Sequence, residues 1–203
     1  MSNDMLAQFV DDFAPALARV DATGPQAIGL VSKKAYQPGI GPHTEAQTVA
    51  LVMAEMVAEH PDRYEAHQIG VPYPRIKRQR CDLCLGDPPD YSLAFEAKML
   101  RLFGDNGKLN DNMLMHILSP YPEHRSALTD CDKLVNSGFT CPTAVVIFGY
   151  DYPGWPMDPA IDGFEALARL RVKLGERATA RYDGLVHPVH QRGRVFAWEV
   201  ASG

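Results

Sequence analysis

Three consecutive stretches decide the fold: Arg80-Cys81-Asp82-Leu83-Cys84-Leu85, then Gly86-Asp87-Pro88-Pro89-Asp90, then Tyr91-Ser92-Leu93-Ala94-Phe95-Glu96-Ala97-Lys98-Met99-Leu100. Two apolar runs flank a block of turn formers, which is the pattern of a β-hairpin. On the return strand Leu93, Phe95, Ala97 and Met99 share one face, and Ala94, Glu96 and Lys98 share the other. On the first strand Leu83 and Leu85 take the core face, with Asp82 and Cys84 opposite. If Leu85 pairs near Ser92, Asp82 falls opposite Phe95 or Glu96. The hairpin then gathers two carboxylates and an amine on one face, above a layer of leucine and phenylalanine.

Two carboxylates held together repel. A divalent cation relieves that repulsion, and Mg²⁺ takes one or two carboxylates together with water and phosphate oxygens. Such an ion acidifies a bound water and neutralises charge at a phosphate under attack. Lys98, two residues beyond Glu96 on the same face, can orient or stabilise the nucleophile.

Outward from the hairpin, residues 4–20 carry Leu6, Phe9, Val10, Phe13 and Leu17 at helical spacing, with Pro15 expected to bend or divide the helix. A Gly/Pro-rich loop spans 24–42. Thr44 with Gln47 forms a capping box for a helix whose stripe is Val49, Val52, Met53, Met56 and Val57, ended by Pro61. Glu45 lies in its first turn. The segment 73–81 is basic and is expected to be extended. After the hairpin come a polar loop at 103–112, a short helix at 130–137 and a buried strand at 142–150. An amphipathic helix at 161–174 follows, and a closing hairpin spans 182–200 with Gln191-Arg192-Gly193-Arg194 near its turn. The order predicts an α/β (α+β) domain with a central mixed sheet flanked by helices. The chain 1–203 is read as a single domain. Residues 1–43 form an N-terminal helical extension and loop, 44–150 a catalytic core, and 151–203 a C-terminal helix and hairpin.

The arrangement of Asp82, thirteen residues, then Glu96-Ala97-Lys98 resembles the PD-(D/E)xK nuclease superfamily, the restriction-endonuclease-like proteins. Those proteins carry the acid on one strand of a hairpin and the ExK on the next, followed by a helix and a further strand. Residues 130–138 and 142–150 are similar to that continuation, and the resemblance covers roughly 44–150. It implies an endonuclease using Mg²⁺, for which Mn²⁺ substitutes, with Asp82, Glu96 and Lys98 as catalytic residues. Asp82 and Glu96 would bind the metal, the Ala97 carbonyl would add a ligand, and Glu45 matches by position a further acid on the helix before the hairpin. DNA is the implied partner, and a restriction or defence enzyme acting as a homodimer is the implied setting. One departure is plain: Cys81 stands where the family name places proline.

Composition sets bounds. The 203 residues are 46% hydrophobic and 22% charged, ordinary for a globular protein. No apolar run reaches the ~18 residues of a membrane helix, and the N-terminus lacks the order of a signal peptide. A cytoplasmic protein is expected. The net charge of −5 is opposite to that of a non-specific DNA binder, so phosphate contacts must be local. Arg75, Lys77, Arg78 and Arg80 supply a basic run, Arg78 and Arg80 with the strand parity of Asp82. Lys133 sits on the helix after the hairpin.

Other chemistries are thinly supported. Cys81, Cys84, Cys131 and Cys141 are expected to be reduced thiols. A four-cysteine zinc site, stabilising a binding domain that does not cut, is the alternative. Against it, nine residues separate the second pair, and on a strand Cys81 and Cys84 would face opposite ways. His187-Pro188-Val189-His190 offers a possible ligand pair, though loop or strand histidines explain it as simply. There is no P-loop, dinucleotide fingerprint or nucleophile elbow.

Overall fold

The strands are β1 (His67–Pro72), β2 (Arg80–Leu85), β3 (Leu93–Leu100), β4 (Thr143–Tyr150), β5 (Lys173–Leu174), β6 (Ala178–Tyr182) and β7 (Gly193–Ala201). They form one open sheet in the order β1-β2-β3-β4-β7-β5, with β6 also paired to β7. Since β4 pairs with β7 along its whole length, β5 and β6 share the other edge of β7. The pairing of β3 with β4 is parallel; the others are antiparallel. The computed structural model describes residues 2–29, 33–110, 112 and 114–202.

Helices cover both faces. On one side lie α1 (Ser2–Ala22) and α2 (Glu45–Glu59), followed by the short α3 (Pro61–Tyr64). On the other lie α4 (Met115–Leu118), α5 (Ala127–Asn136) and α6 (Asp158–Ala168), with a 3₁₀ turn at Pro122–His124. The parallel pair requires a crossover, and α5 rides on it. The first core joins α1 and α2 to Leu83, Leu85, Phe95, Ala97, Phe148 and Tyr150; the second joins α5 and α6 to Val145, Ile147 and Trp198. Because β4 is buried on both faces, its sequence is a continuous apolar run rather than an alternation. The expected mixed sheet flanked by helices is therefore present. Among the described residues no helix is long and apolar enough to cross a membrane.

Several boundaries differ from the sequence expectation. α1 continues through Pro15. Leu6, Phe9, Val10, Phe13 and Leu17 are buried along one face on both sides of the proline, which outweighs the single hydrogen bond it removes. The same burial makes α1 part of the main core. The helix expected at 161–174 stops at Ala168, and Lys173–Leu174 pair with β7 instead. There the buried Val172 and Leu174 reach the second core, which a longer helix would deny them. The closing hairpin is longer-looped than its sequence suggested: residues 183–192 connect β6 to β7.

Where β3, β4 and β7 come closest, glycine is obligatory. A Cβ on Gly149 would lie 2.0 Å from the Leu100 carbonyl oxygen, and one on Gly193 would lie 1.9 Å from that of Gly149. Backbone cannot yield as a side-chain tip does, so Gly149→Ala should cost on the order of 3 kcal/mol by overpacking. Gly163, inside α6, meets nothing nearer than Leu118 Cδ2 at 3.7 Å. Gly163→Ala should stabilise by about 1 kcal/mol through helix propensity. Urea unfolding of the two variants should move in opposite directions.

Candidate metal centre

The hairpin register is Leu83↔Phe95, Cys84↔Ala94 and Leu85↔Leu93, which sets Asp82 against Glu96. Ladder pairing stops at Leu83. Beyond it, Asp82 Oδ2 accepts the Ala97 amide at 2.8 Å, so the carboxylate takes the place of a strand carbonyl. On the other side, the β1–β2 ladder skips the step of Gly70 and Asp82, and Gly70 has φ +68°. That left-handed residue lets both strands change face together. Val71 and Cys81 consequently turn into the same core as Cys84. This corrects the expectation that Cys81 and Cys84 face apart.

Glu96, on β3, is buried, and the hairpin register sets it against Asp82. The Tyr73 hydroxyl donates to Glu96 Oε1, and Lys133 Nζ lies 3.3 Å from the same oxygen. Burial, then the charges of Asp130 and Asp82, push the Glu96 carboxyl up to about 8, against the pull of Lys133. Lys98 Nζ lies 2.7 Å from Asp130, 3.5 Å from Glu45, and donates to the Ala97 carbonyl at 3.0 Å. Burial alone would depress its pKa, but Asp130 and Glu45 outweigh that and hold it above the usual lysine range. Lys98 is thus a fixed ammonium: it can donate a hydrogen bond, not take up a proton. Asp130, on α5, is fully buried between Lys98 and Lys133, the latter at 2.5 Å. Glu45, the first residue of α2, accepts the Met99 amide at 2.6 Å. Its pKa is raised, by burial first, against the pull of Lys98.

Glu45, Asp82, Glu96 and Lys98 line a cleft of about 620 Å³ that also includes Arg80, Arg101, His124, Arg125 and Lys133. A second hollow of about 540 Å³ adjoins it, sharing Arg80, Arg125 and Lys133 and adding Arg78. Arg78 and Arg125 both hold positive φ, 63° and 47°. Left-handed backbone at a non-glycine residue costs on the order of 1 kcal/mol and concentrates at functional sites.

Of the predicted residues, Asp82, Glu96, Lys98, Glu45, Arg80 and Lys133 line this cleft, and the Ala97 carbonyl accepts from Lys98. Residues 73–79 are turns rather than extended chain, so strand parity does not govern Arg78. Arg75 is elsewhere: its amide donates to Ser137, and its side chain packs over Gly138. Lys77 is exposed on the turn and lines neither hollow. The sequence reading missed Asp130, Tyr73 and Arg125. For Asp130 a signal existed, since it precedes Lys133 by one helical turn. The four cysteines do not assemble with other ligands; the set of three His, Cys, Asp or Glu donors mutually within 4.8 Å among the described residues is Asp105, His187 and His190. The carboxylates of Glu45, Asp82 and Glu96 do not all draw that close, because Glu45 is held across Lys98.

The Glu96 shift has a consequence for stability. A carboxyl raised from its ordinary value of 4.5 to about 8 stays protonated in the fold while the unfolded chain ionises. Its contribution is fully present below pH 4.5 and is lost as pH rises through about 8. The melting temperature should therefore fall with rising pH across that window without divalent cation. Glu96→Gln should flatten the fall; an unchanged slope in the variant would contradict the assignment.

No family model, curated protein or solved structure matches the chain.

Proposed function

We propose that this protein is a divalent-cation-dependent nuclease hydrolysing phosphodiester bonds, with DNA as substrate, in the manner of the PD-(D/E)xK enzymes its motif resembles. The observation that carries the reading is that Asp82, Glu96 and Lys98 line one open cleft, with Asp82 bonded to the Ala97 amide and Lys98 to the Ala97 carbonyl. The order within 44–150 supports it: a helix, the acid-bearing hairpin, a second helix, then a strand parallel to the one bearing Glu96 and Lys98.

The donor set fits a hard cation. All of its atoms are oxygens, and the Asp130 and Asp82 charges that, after burial, raise Glu96 are a repulsion such an ion relieves. Asp82 and Glu96 would hold Mg²⁺ or Mn²⁺, with the Ala97 carbonyl adjacent. Bound there, the ion supplies an acidified water and stabilises charge on the phosphate. The chain does the rest. Tyr73 and Lys133 fix the direction of Glu96, and the Ala97 amide fixes Asp82. Lys98, charged and anchored by Asp130, orients the attacking water and offsets negative charge at the reaction centre. Arg80, Arg125 and Lys133, with Arg78 beyond, offer the flanking phosphates a local positive lining despite the acidic total. Glu45 is a weaker ligand, being engaged by Met99 and Lys98. Double-strand cutting requires two such centres, which a homodimer would provide.

A second reading is kept by one observation: each charge in the cluster has an internal partner, as in a domain that binds nucleic acid without cutting it. Incubation with supercoiled and linear DNA, single-stranded DNA and RNA, with Mg²⁺ or Mn²⁺ against EDTA, separates the two. Metal-dependent cleavage is expected. DNA binding without cleavage under every condition would favour the second reading.

A further inference from the structure

On the α1/α2 side of the sheet, with Arg101 between them and the carboxylate cleft, three loop residues converge. His187 and His190 come from the β6–β7 loop, and Asp105 from the loop after β3. Each offers a ligand atom, and these lie within 4.8 Å of one another. His190 Nε2 is 3.0 Å from Asp105 Oδ1, close to the ~3.3 Å edge of a tetrahedron built on zinc bond lengths. Both imidazoles are fully buried, and stack at 4.7 Å with 19° between planes.

We propose that Asp105, His187 and His190 form a metal site for a borderline divalent ion, zinc by preference, which ties these loops together. Two independent observations support it. His187 Nε2 is buried with no hydrogen-bond partner among the described residues, an expensive state for a ring nitrogen that a metal bond would end. His190 already has the support that ligand histidines need: its Nδ1 is 2.8 Å from the Tyr152 hydroxyl, which can accept the ring proton and leave Nε2 for the ion. His187 Nδ1 now accepts the amides of Val189 and His190 at 3.2 and 3.4 Å, contacts long enough to yield when the ring turns to the ion.

Backbone packs closely on both histidines: a Cβ on Gly41 would sit 2.4 Å from His190 Cδ2, and one on Gly39 would sit 3.0 Å from His187 Cβ. Arg101 approaches Asp105 to 3.4 Å and opposes a cation. Asp21, buried and bonded to the amides of Ile40 and Val186, offsets it, so the local balance of Asp21, Asp105 and Arg101 remains negative. Imidazole nitrogens favour zinc over Mg²⁺, so this site and the carboxylate cleft would select different ions. Asp105 is the partly exposed one of the three, so it is the ligand through which solvent would approach a bound ion.

The test is elemental analysis and cobalt(II) absorption on full-length protein. Stoichiometric zinc in the wild type, and tetrahedral cobalt bands after exchange, are expected. Asp105→Asn should lose at least tenfold in metal affinity; His187→Gln should lose the bands, while Asp82→Asn keeps them. If His187→Gln does not fold, Asp105→Asn, whose site is partly exposed, carries the test alone. Absence of stoichiometric metal after zinc loading, or equal affinity in Asp105→Asn, would overturn the site. Neither result depends on whether the cleft cuts DNA.

Discussion

Asp82→Asn should lower metal-dependent cleavage on the order of 10²–10³-fold while leaving the fold intact, and Lys98→Ala should lower it as far. The asparagine is the cleaner of the two. Its side-chain carbonyl can still accept the Ala97 amide that Asp82 holds at 2.8 Å, so β2 and β3 keep their junction. What disappears is the negative charge, and with it half of the proposed carboxylate pair. Loss of Lys98 removes an ammonium that burial opposes and that Asp130 and Glu45 maintain. Because Lys98→Ala also strands those carboxylates, its kinetics should be read with its stability, and Lys98→Arg added as a charge-preserving control. The arginine should hold the fold better than alanine yet recover little activity, since a planar fork cannot occupy the position of a compact ammonium. Rates within a few-fold of wild type for both Asp82→Asn and Lys98→Ala would remove these residues from the chemistry.

The second large effect falls on Asp130. Asp130→Ala should cost about 3–5 kcal/mol, the usual penalty for breaking a buried ion pair from one side. Its carboxylate lies between Lys98 at 2.7 Å and Lys133 at 2.5 Å and is wholly inaccessible to solvent. Without it, Lys98 retains Glu45 at 3.5 Å and the Ala97 carbonyl at 3.0 Å, and Lys133 retains Glu96 at 3.3 Å. Lys133→Met should be milder, because Lys133 is the more exposed lysine and its loss leaves the Asp130–Lys98 pair in place. Urea unfolding measures both. A cost below 1 kcal/mol for Asp130→Ala would show that the cluster does not hold α5 to β3.

The hairpin was legible because its information is local. Alternation of Leu93, Phe95, Ala97 and Met99 against Glu96 and Lys98 fixes the faces, and the turn block fixes the register to within a residue. α2 was equally open to reading through its capping box, which the structure contains. β1 escaped notice because an edge strand with exposed Gln68 and Ile69 and an interior glycine has no clean alternation. The shared face of Cys81 and Cys84 depends on Gly70, which lies on a different strand, so no local pattern could announce it. Arg125 reaches the cleft from a 3₁₀ end, and Tyr73 and Asp130 bond the cleft residues from a turn and a crossover helix, each placed by tertiary packing. The meeting of Asp105 with His187 and His190 spans loops far apart in the chain, and the two histidines alone carried little signal.

The most direct measurement is a crystal soaked with Mn²⁺ and examined at the manganese absorption edge. An anomalous peak coordinated by the side chains of Asp82 and Glu96, beside the Ala97 carbonyl, is the predicted result. A soaked crystal with no manganese there, while Tyr73 and Lys133 still clasp Glu96, would contradict the account.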